Sequence, residues 1–169
     1  MVKTGAQFRR LLVLLLFALA MGYVEGVVVV YLKLILPQQP PQLTSKDVLF
    51  SLGFLAFLSK SAIQNARLGI IEDSREAATM VVLLTVAFLA SKTCTGRISP
   101  FFFSFGVWDL TYYPTLYVWL GWPSSIWDLD VYFLLPVPWV GPVATPIVLS
   151  SILSVISAWK FMQSESVMK

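Results

Sequence analysis

The chain has 169 residues, no histidine and a single cysteine, Cys94. Without imidazole it cannot hold haem or zinc through histidine or build a Ser-His-Asp triad. With one cysteine it cannot form an internal disulfide. The metal chemistry left to it uses oxygen ligands, which suit hard cations. The sequence therefore predicts an oxygen-ligated cation as a possible cofactor and indicates no other.

Charged residues are also scarce. They make up 12% of the chain, against 57% hydrophobic residues, whereas soluble domains are about 25% charged. This composition predicts an integral membrane protein with a single domain, residues 1–169, and the lipid bilayer as its surroundings. The net charge of +3 comes from scattered lysines and arginines, so no nucleic-acid partner is predicted.

The long apolar stretches predict an all-α membrane protein, a bundle of about four transmembrane helices, because about 20 apolar residues cross a bilayer. The predicted spans are residues 11–36, 68–91, 101–122 and 143–161. Pro37–Pro41 should end the first helix. Residues 48–58 are apolar but too short to span, and predict an interfacial or re-entrant helix with Ser45 as its N-cap. The Trp- and Pro-rich residues 123–142 predict an irregular segment before the last span.

The N-terminal part of the sequence has two interpretations. A basic start and the string Ala18-Leu19-Ala20 imitate a cleavable signal peptide. The apolar run nevertheless continues to Leu36, broken only by Glu25 and Lys33. A run of that length favours a spanning helix.

Basic residues predict the orientation, because short cytoplasmic loops carry an excess of Lys and Arg. Such residues precede the first span, separate the second from the third, and follow the fourth: Lys3, Arg9, Arg10, Lys92, Arg97, Lys160 and Lys169. The 123–142 segment has none. Both termini are therefore predicted to be cytoplasmic, although the first connection also holds Lys46, Lys60 and Arg67, and a spanning 48–58 segment would reverse everything downstream.

The charged residues inside or at the edge of the apolar stretches include Glu25, Glu72, Arg75, Glu76 and Asp109. A charge at the centre of a transmembrane helix costs about 2.5–3.5 kcal/mol, so each should face protein, water or a ligand. At the helical rise, Glu25, Glu76 and Asp109 lie roughly 16, 12 and 20 Å from the outer ends of their predicted spans. The three acids are therefore predicted to lie at a similar depth in the bilayer. Glu72 and Glu76 share a helical face, and Arg75 is near enough to neutralise part of their charge.

We therefore predict one polar site. Its ligand-binding residues are the five charged ones together with two aromatic neighbours of Asp109, Trp108 and Tyr112. Glu25, Glu76 and Asp109 are the predicted metal ligands for a hard cation. No catalytic residue is predicted, since no pairing of a nucleophile with a base stands out.

Each of these residues also has a plainer interpretation. Glu72 to Glu76 could be a solvated first helical turn, where acids suit the helix dipole. Glu25 could serve only structural hydrogen bonding, and Asp109 could bond to a tyrosine. Asp128 and Asp130 are more typical of solvated loop acids. The tryptophans of this region most simply form an aromatic belt at headgroup level: Trp119, Trp122, Trp127 and Trp139.

A set of strings resembles an uncharacterised family of small bacterial polytopic membrane proteins. The strings are Tyr23-Val-Glu25, Val-Val-Val-Tyr31-Leu-Lys33, Arg75-Glu76-Ala-Ala-Thr79, Phe105-Gly-Val-Trp108-Asp109 with Tyr112-Tyr113, Gly121-Trp122-Pro123, Trp127-Asp128 and Pro136-Val-Pro138-Trp139-Val-Gly141-Pro142-Val. The resemblance covers most of the chain except residues 38–69. It implies a location in a bacterial inner membrane and adds weight to Glu25, Glu76, Trp108 and Asp109 as a set. Members of the family also carry a glutamate before the Arg-Glu-Ala-Ala-Thr string, which is Glu72 in this sequence. It implies no activity, ligand or partner.

Two hypotheses follow. In the first, the helices enclose a carboxylate-centred site that binds a cation, a proton or a small polar ligand, with transport as one use of it. In the second, the protein is an accessory subunit whose charges pair with a membrane protein partner or with another copy in a homo-oligomer. The first requires Glu25, Glu76 and Asp109 to converge within one fold. Small-residue faces such as Gly22 to Gly26 would serve close helix contact in either case.

Overall fold

The computed structural model describes residues 2–35, 47–60, 66–92 and 94–164. Four helices lie over the four long apolar segments: α1 (Val2–Ile35), α2 (Ala66–Ala90), α3 (Cys94–Leu120) and α4 (Ala144–Ser164). The predicted helix stop at Pro37–Pro41 and the N-cap at Ser45 lie outside the described residues.

By length and composition, two of the described helices could cross a membrane: Gly5–Ile35 of α1 and Ala144–Gln163 of α4. α2 does not meet the same criterion, with five charged residues near its start, and α3 does not meet it either. The predicted bundle of about four transmembrane helices is therefore wrong.

The fold is not all-helical either, because it contains a four-stranded antiparallel sheet. Its strands are β1 (Val48–Leu52), β2 (Leu55–Leu58), β3 (Leu129–Phe133) and β4 (Trp139–Pro142), in the order β1-β2-β4-β3. Two hairpins meet where Phe57 of β2 pairs with Trp139 of β4. The predicted interfacial helix at 48–58 is thus a hairpin, and much of the predicted irregular segment is the second hairpin.

Two glycines make turns that other residues would disfavour. Gly53 joins β1 to β2 with φ of 59°. Gly121 follows α3 with φ of 66° and donates its N–H to the Tyr117 carbonyl at 2.9 Å. Both lie in the left-handed region, where a Cβ is unfavourable. They fix where the first hairpin turns and where α3 ends.

α3 is the central helix and contacts all three others, α1 and α4 most extensively. Glycines permit the close approach. A Cβ on Gly22 would lie 2.5 Å from the Trp108 carbonyl oxygen, and one on Gly26 would lie 2.7 Å from Cβ of Thr115. Glu25 stands between these two glycines, so the same contact that joins α1 to α3 brings Glu25 beside the Trp108–Thr115 stretch.

The two ends of the molecule differ. At one end the start of α1 packs against the start of α3 and the finish of α4, through Leu14, Ala18, Phe103 and Phe161. The sheet lies at the opposite end, where β4 leads directly into α4 and Val143 donates its N–H to the Asp128 carbonyl at 2.9 Å. Arg9, Arg10, Lys92, Arg97 and Lys160 belong to the first end, and the acidic Asp128 and Asp130 belong to the sheet end.

Candidate functional site

A cavity of about 290 Å³ lies at the sheet end, between α1, α2, α3 and β3. All seven residues of the predicted site line it: Glu25, Glu72, Arg75, Glu76, Trp108, Asp109 and Tyr112. The structure therefore brings the predicted set together. That these residues bind a ligand stays a prediction.

Arg75 joins two of the acids. Its Nε and Nη2 donate to Oε2 of Glu72, at 3.0 and 2.7 Å, and its Nη1 forms an ion pair with Glu25. Glu72 and Arg75 are three residues apart on α2, which puts them on one face of the helix. Glu25 comes from α1 and is 8% exposed. This ion-pair cluster therefore ties α1 to α2 at the cavity wall.

Glu76 has a different kind of partner. Its carboxylate accepts the backbone N–H of Leu134, at 2.9 and 3.0 Å, and the N–H of Leu135 at 3.2 Å. The residue is 8% exposed, so the interpretation of Glu76 as part of a solvated helical turn is wrong. Its hydrogen bonds connect α2 to the residues just after β3. No lysine or arginine among the described residues forms an ion pair with Glu76.

Asp109 accepts a hydrogen bond from the Ser150 hydroxyl of α4 at 2.6 Å. Its hydrogen-bond partner is thus a serine and not the tyrosine considered from the sequence. Among the described residues it has no ion-pair partner.

Trp108, the residue before Asp109, is 6% exposed, and its buried Nε1 finds no hydrogen-bond acceptor within the described residues. Nearby, the rings of Tyr112 and Tyr113 pack edge to face, with centroids 5.1 Å apart.

Several further lining residues were not predicted, namely Lys33, Tyr113, Asp130, Tyr132 and Phe133. Asp130, Tyr132 and Phe133 belong to β3, so predicting them as lining residues would have required predicting that strand. The sequence did carry a signal for it: Leu129–Phe133 combines alternating polarity with β-branched and aromatic residues, a pattern typical of strands.

Asp130 is the most consequential of these residues, because the sequence favoured a solvated loop acid there. Tyr113 donates its hydroxyl to Oδ2 of Asp130 at 3.1 Å. Burial raises the pKa of Asp130 from 3.8 to about 6, although the hydrogen bond from Tyr113 and the charge of Lys33 act in the opposite direction. Burial penalises the charged carboxylate, which explains the rise.

Asp128, by contrast, has a local role. Its Oδ2 accepts N–H groups from Ser124 and Ser125, at 2.7 and 3.1 Å, and the Ser124 hydroxyl at 2.8 Å. These hydrogen bonds lower the pKa of Asp128 and stabilise the turn before β3. Asp128 is not a member of the cavity lining.

The cavity carries an excess of negative charge. Five carboxyl groups line it (Glu25, Glu72, Glu76, Asp109 and Asp130), against the two cationic groups of Lys33 and Arg75. With every group ionised, the lining has three more negative than positive charges. Acids crowded into a poorly solvated space repel one another, which favours a bound cation or the uptake of protons.

The geometry does not favour the predicted metal set of Glu25, Glu76 and Asp109. In the part of the chain that the structure describes, no three acidic or cysteine side chains are arranged to hold a metal ion. Each predicted ligand is also engaged elsewhere: Glu25 with Arg75, Glu76 with two N–H groups, and Asp109 with Ser150. The three acids therefore share a cavity without forming a metal centre.

Comparison of the chain with protein-family models, with curated proteins and with solved structures found no match. The resemblance to a family of small membrane proteins thus stays a prediction.

Proposed function

We propose that this chain is an integral membrane protein whose carboxylate-lined cavity binds a small cation. The observation that carries the proposal is the charge of the cavity, where five carboxyl groups meet two cationic ones. Glu25 and Glu72 are neutralised in part by Arg75, whereas Glu76 and Asp109 accept only N–H or O–H hydrogen bonds within the described residues. A cation beside Glu76 and Asp109 would relieve the repulsion that remains.

The surface of the helices supports a membrane location. Large apolar side chains are exposed on both helices that could span, for example Leu16 (67%) and Leu34 (68%) of α1 and Val155 (70%) of α4. Soluble monomers rarely expose large contiguous apolar surfaces. In a bilayer the same side chains would contact lipid at no cost.

The charge difference between the two ends supports an orientation. By the positive-inside rule the end that carries Arg9, Arg10 and Lys160 faces the cytoplasm, together with both termini. The sheet and the acidic cavity then lie towards the opposite side of the membrane. In a bacterium this would be the outer side of the inner membrane, so the proposed ligand would enter from outside the cytoplasm.

The arrangement of the acids favours this proposal over an accessory-subunit role. An accessory subunit that used its charges to bind a neighbour would turn at least one of them outward. Glu25 and Glu76 are instead 8% exposed and have partners within the chain.

Thermal unfolding of the purified protein tests the proposal. We expect at least one of sodium, potassium, magnesium, calcium and alkylammonium chlorides to raise the melting temperature saturably, since a ligand that binds only the folded state stabilises it by about 2.7 kcal/mol at 100 times its Kd. Glu76→Gln and Asp109→Asn keep a hydrogen-bond acceptor and remove charge, so each should lose most of the shift.

Asp128→Asn provides the matched control. Asp128 accepts hydrogen bonds from Ser124 and Ser125 in the turn before β3, and it does not line the cavity. This variant also removes one negative charge, and it should keep the full shift. The proposal fails if no cation moves the melting temperature of the wild type, or if the shift is unchanged in both Glu76→Gln and Asp109→Asn.

A further inference from the structure

We infer that the ligand of this cavity is a small organic ammonium ion that carries a hydrogen-bond acceptor and no negative charge. The inference rests on the proposed cation binding and narrows the class of cation. Four features of the cavity support it: the aromatic lining, one buried hydrogen-bond donor without an acceptor, the size and the charge.

Aromatic side chains are as numerous as carboxyl groups in the lining: Trp108, Tyr112, Tyr113, Tyr132 and Phe133. A metal ion needs several oxygen ligands converging on one point, which the described acids do not supply. An alkylammonium ion does not need oxygen ligands that converge on one point. Its charge is diffuse, its methyl and methylene groups pack on rings, and aromatic faces attract it directly. The combination of rings with carboxylates therefore favours an organic cation.

The protein already uses this contact at the cavity. Nζ of Lys33 lies 4.0 Å from the centroid of the Trp122 ring, and Lys33 lines the cavity. An ammonium group held against an indole is thus compatible with this part of the fold. A ligand ammonium could make the same kind of contact with Trp108, which also lines the cavity and packs beside Phe133 with ring centroids 6.2 Å apart.

Trp108 supplies a second, independent indication. It lines the cavity and is only 6% exposed, and its Nε1 has no hydrogen-bond acceptor among the described residues. A buried donor without a partner is costly. A hydroxyl, ether or carbonyl oxygen on the ligand would satisfy it. Metal ions and simple tetraalkylammonium ions have no such atom.

Size and charge restrict the ligand further. A cavity of about 290 Å³ is at the lower end of the range for small-molecule sites, about 300–1,000 Å³, so a small ligand is favoured. Because negative charge is in excess in the lining, a phosphate or carboxylate on the ligand would be repelled. A free amino alcohol fits these limits, whereas a zwitterionic lipid headgroup does not.

Isothermal titration calorimetry with a ligand series tests the inference. The probes are choline, ethanolamine, tetramethylammonium, phosphocholine, magnesium and calcium. We expect choline or ethanolamine to bind most tightly, about threefold to tenfold tighter than tetramethylammonium, which is the ratio that one hydrogen bond provides. Phosphocholine should bind more than about tenfold more weakly than choline because its phosphate meets like charge.

Trp108→Phe isolates the hydrogen bond, since it keeps an aromatic ring and removes the N–H. In this variant the preference for choline over tetramethylammonium should fall to near one, while tetramethylammonium itself binds as before. Asp128→Asn, at an acid outside the cavity lining, should leave every affinity unchanged. If Trp108→Phe does not fold, the affinities of the wild-type protein for the ligand series still test the inference.

The outcomes separate the two proposals. Tight binding of magnesium, calcium or another metal ion with no ammonium binding overturns this inference and leaves cation binding intact. Equal affinity for choline and tetramethylammonium in the wild type overturns the role of Trp108, and equal affinity for phosphocholine overturns the exclusion of anionic groups. Failure of every cation to bind overturns both proposals.

Discussion

At the scale of single residues, Arg75 organises the acids around it. It contacts acids on two helices, Glu25 on α1 and Glu72 on α2. Two carboxylates share one guanidinium, because its five donors reach both. Glu76 interacts with the charge of Arg75 without an ion pair, and Asp109 accepts a hydrogen bond from Ser150. Glu76 and Asp109 are therefore the residues from which a bound cation would gain most.

The first prediction concerns the ion pair between α1 and α2. Glu25→Gln should lower the free energy of unfolding by about 3 kcal/mol, the lower end of the range for breaking a buried pair, because Arg75 keeps Glu72. Equilibrium unfolding in detergent measures the loss. The more exposed pair of Asp73 with Lys60, whose side chains are 22% and 43% exposed against 11% and 23% for Glu25 and Arg75, is the control. Asp73→Asn should cost less than about 1 kcal/mol. Equal losses in the two variants would contradict the assignment of a buried pair.

The second prediction concerns the pH dependence of stability. Burial raises the pKa of Asp130 from 3.8 to about 6 in the folded protein, so the folded state binds this proton more tightly than the unfolded chain does. The unfavourable ionisation of Asp130 should therefore lower stability as the pH rises from about 4 to above 6. Because each unit between the two pKa values is worth about 1.4 kcal/mol, the effect is at most about 3 kcal/mol.

Asp130→Asn removes that ionisation and can still accept the Tyr113 hydroxyl. Relative to the wild type, the variant should gain stability between pH 4 and 7, which unfolding curves at a series of pH values would reveal. A constant difference between the two proteins across this range would show that Asp130 has an ordinary pKa and is not buried as described.

At the scale of secondary-structure elements, the contact between α1 and α3 decides where Glu25 lies. Gly22 and Gly26 meet the backbone or side chains of α3 so closely that a methyl group cannot enter without a shift. Gly5 belongs to the same helix and has nothing within 4 Å of an added Cβ. Comparing alanine substitutions at Gly22 and at Gly5 therefore separates the effect of packing on stability from the effect of helix propensity.

The third prediction uses this contrast. Gly22→Ala should destabilise the protein by about 1–3 kcal/mol through overpacking. Gly5→Ala should be neutral or stabilising by up to about 1 kcal/mol, because alanine is the better helix former. Thermal unfolding of both variants measures the two effects. If Gly22→Ala also stabilises the protein, α1 and α3 do not approach as closely as the structure indicates.

The elements differ in how far the sequence could predict them. The helices lie over the predicted segments because long apolar runs have few other interpretations. The hairpin at 48–58 was missed because eleven apolar residues suit a short helix as well as two strands, although Gly53 in the middle was a turn signal. The second hairpin was missed because its Trp and Pro content suggested an aromatic belt, which concealed the strand pattern of Leu129–Phe133.

The site was predictable to the extent that its residues are charged and lie in apolar helices. Glu25, Glu76 and Asp109 stand out in the sequence for that reason, and the structure brings them to one cavity. Asp130 did not stand out, because its burial depends on β3 pairing with β4 and on Tyr113 of α3. Contacts between distant elements of this kind leave no local pattern.

At the scale of the whole molecule, the sheet closes one end of the helices, and Arg9, Arg10 and Lys160 lie at the other. The fourth prediction is that these ends lie on opposite sides of the membrane. In a Cys94→Ser background, a cysteine placed at exposed Ser125 in the turn before β3 should react with an impermeant maleimide in intact cells. A cysteine at exposed Gln163, near the end of α4, should react only after the cells are opened. Reaction of both in intact cells, or the reverse pattern, would contradict the proposed orientation.

We propose above that acids from α1, α2 and α3 hold a cation in one cavity. An experimental density map of the wild-type protein, recorded with and without saturating choline, would show whether the space bounded by Glu25, Glu76 and Asp109 is occupied. We predict density for one bound molecule in contact with carboxylate oxygens of Glu76 or Asp109 and with the ring of Trp108. Identical maps, or a map in which bulk solvent surrounds Glu25 and separates it from the other two acids, would contradict the claim.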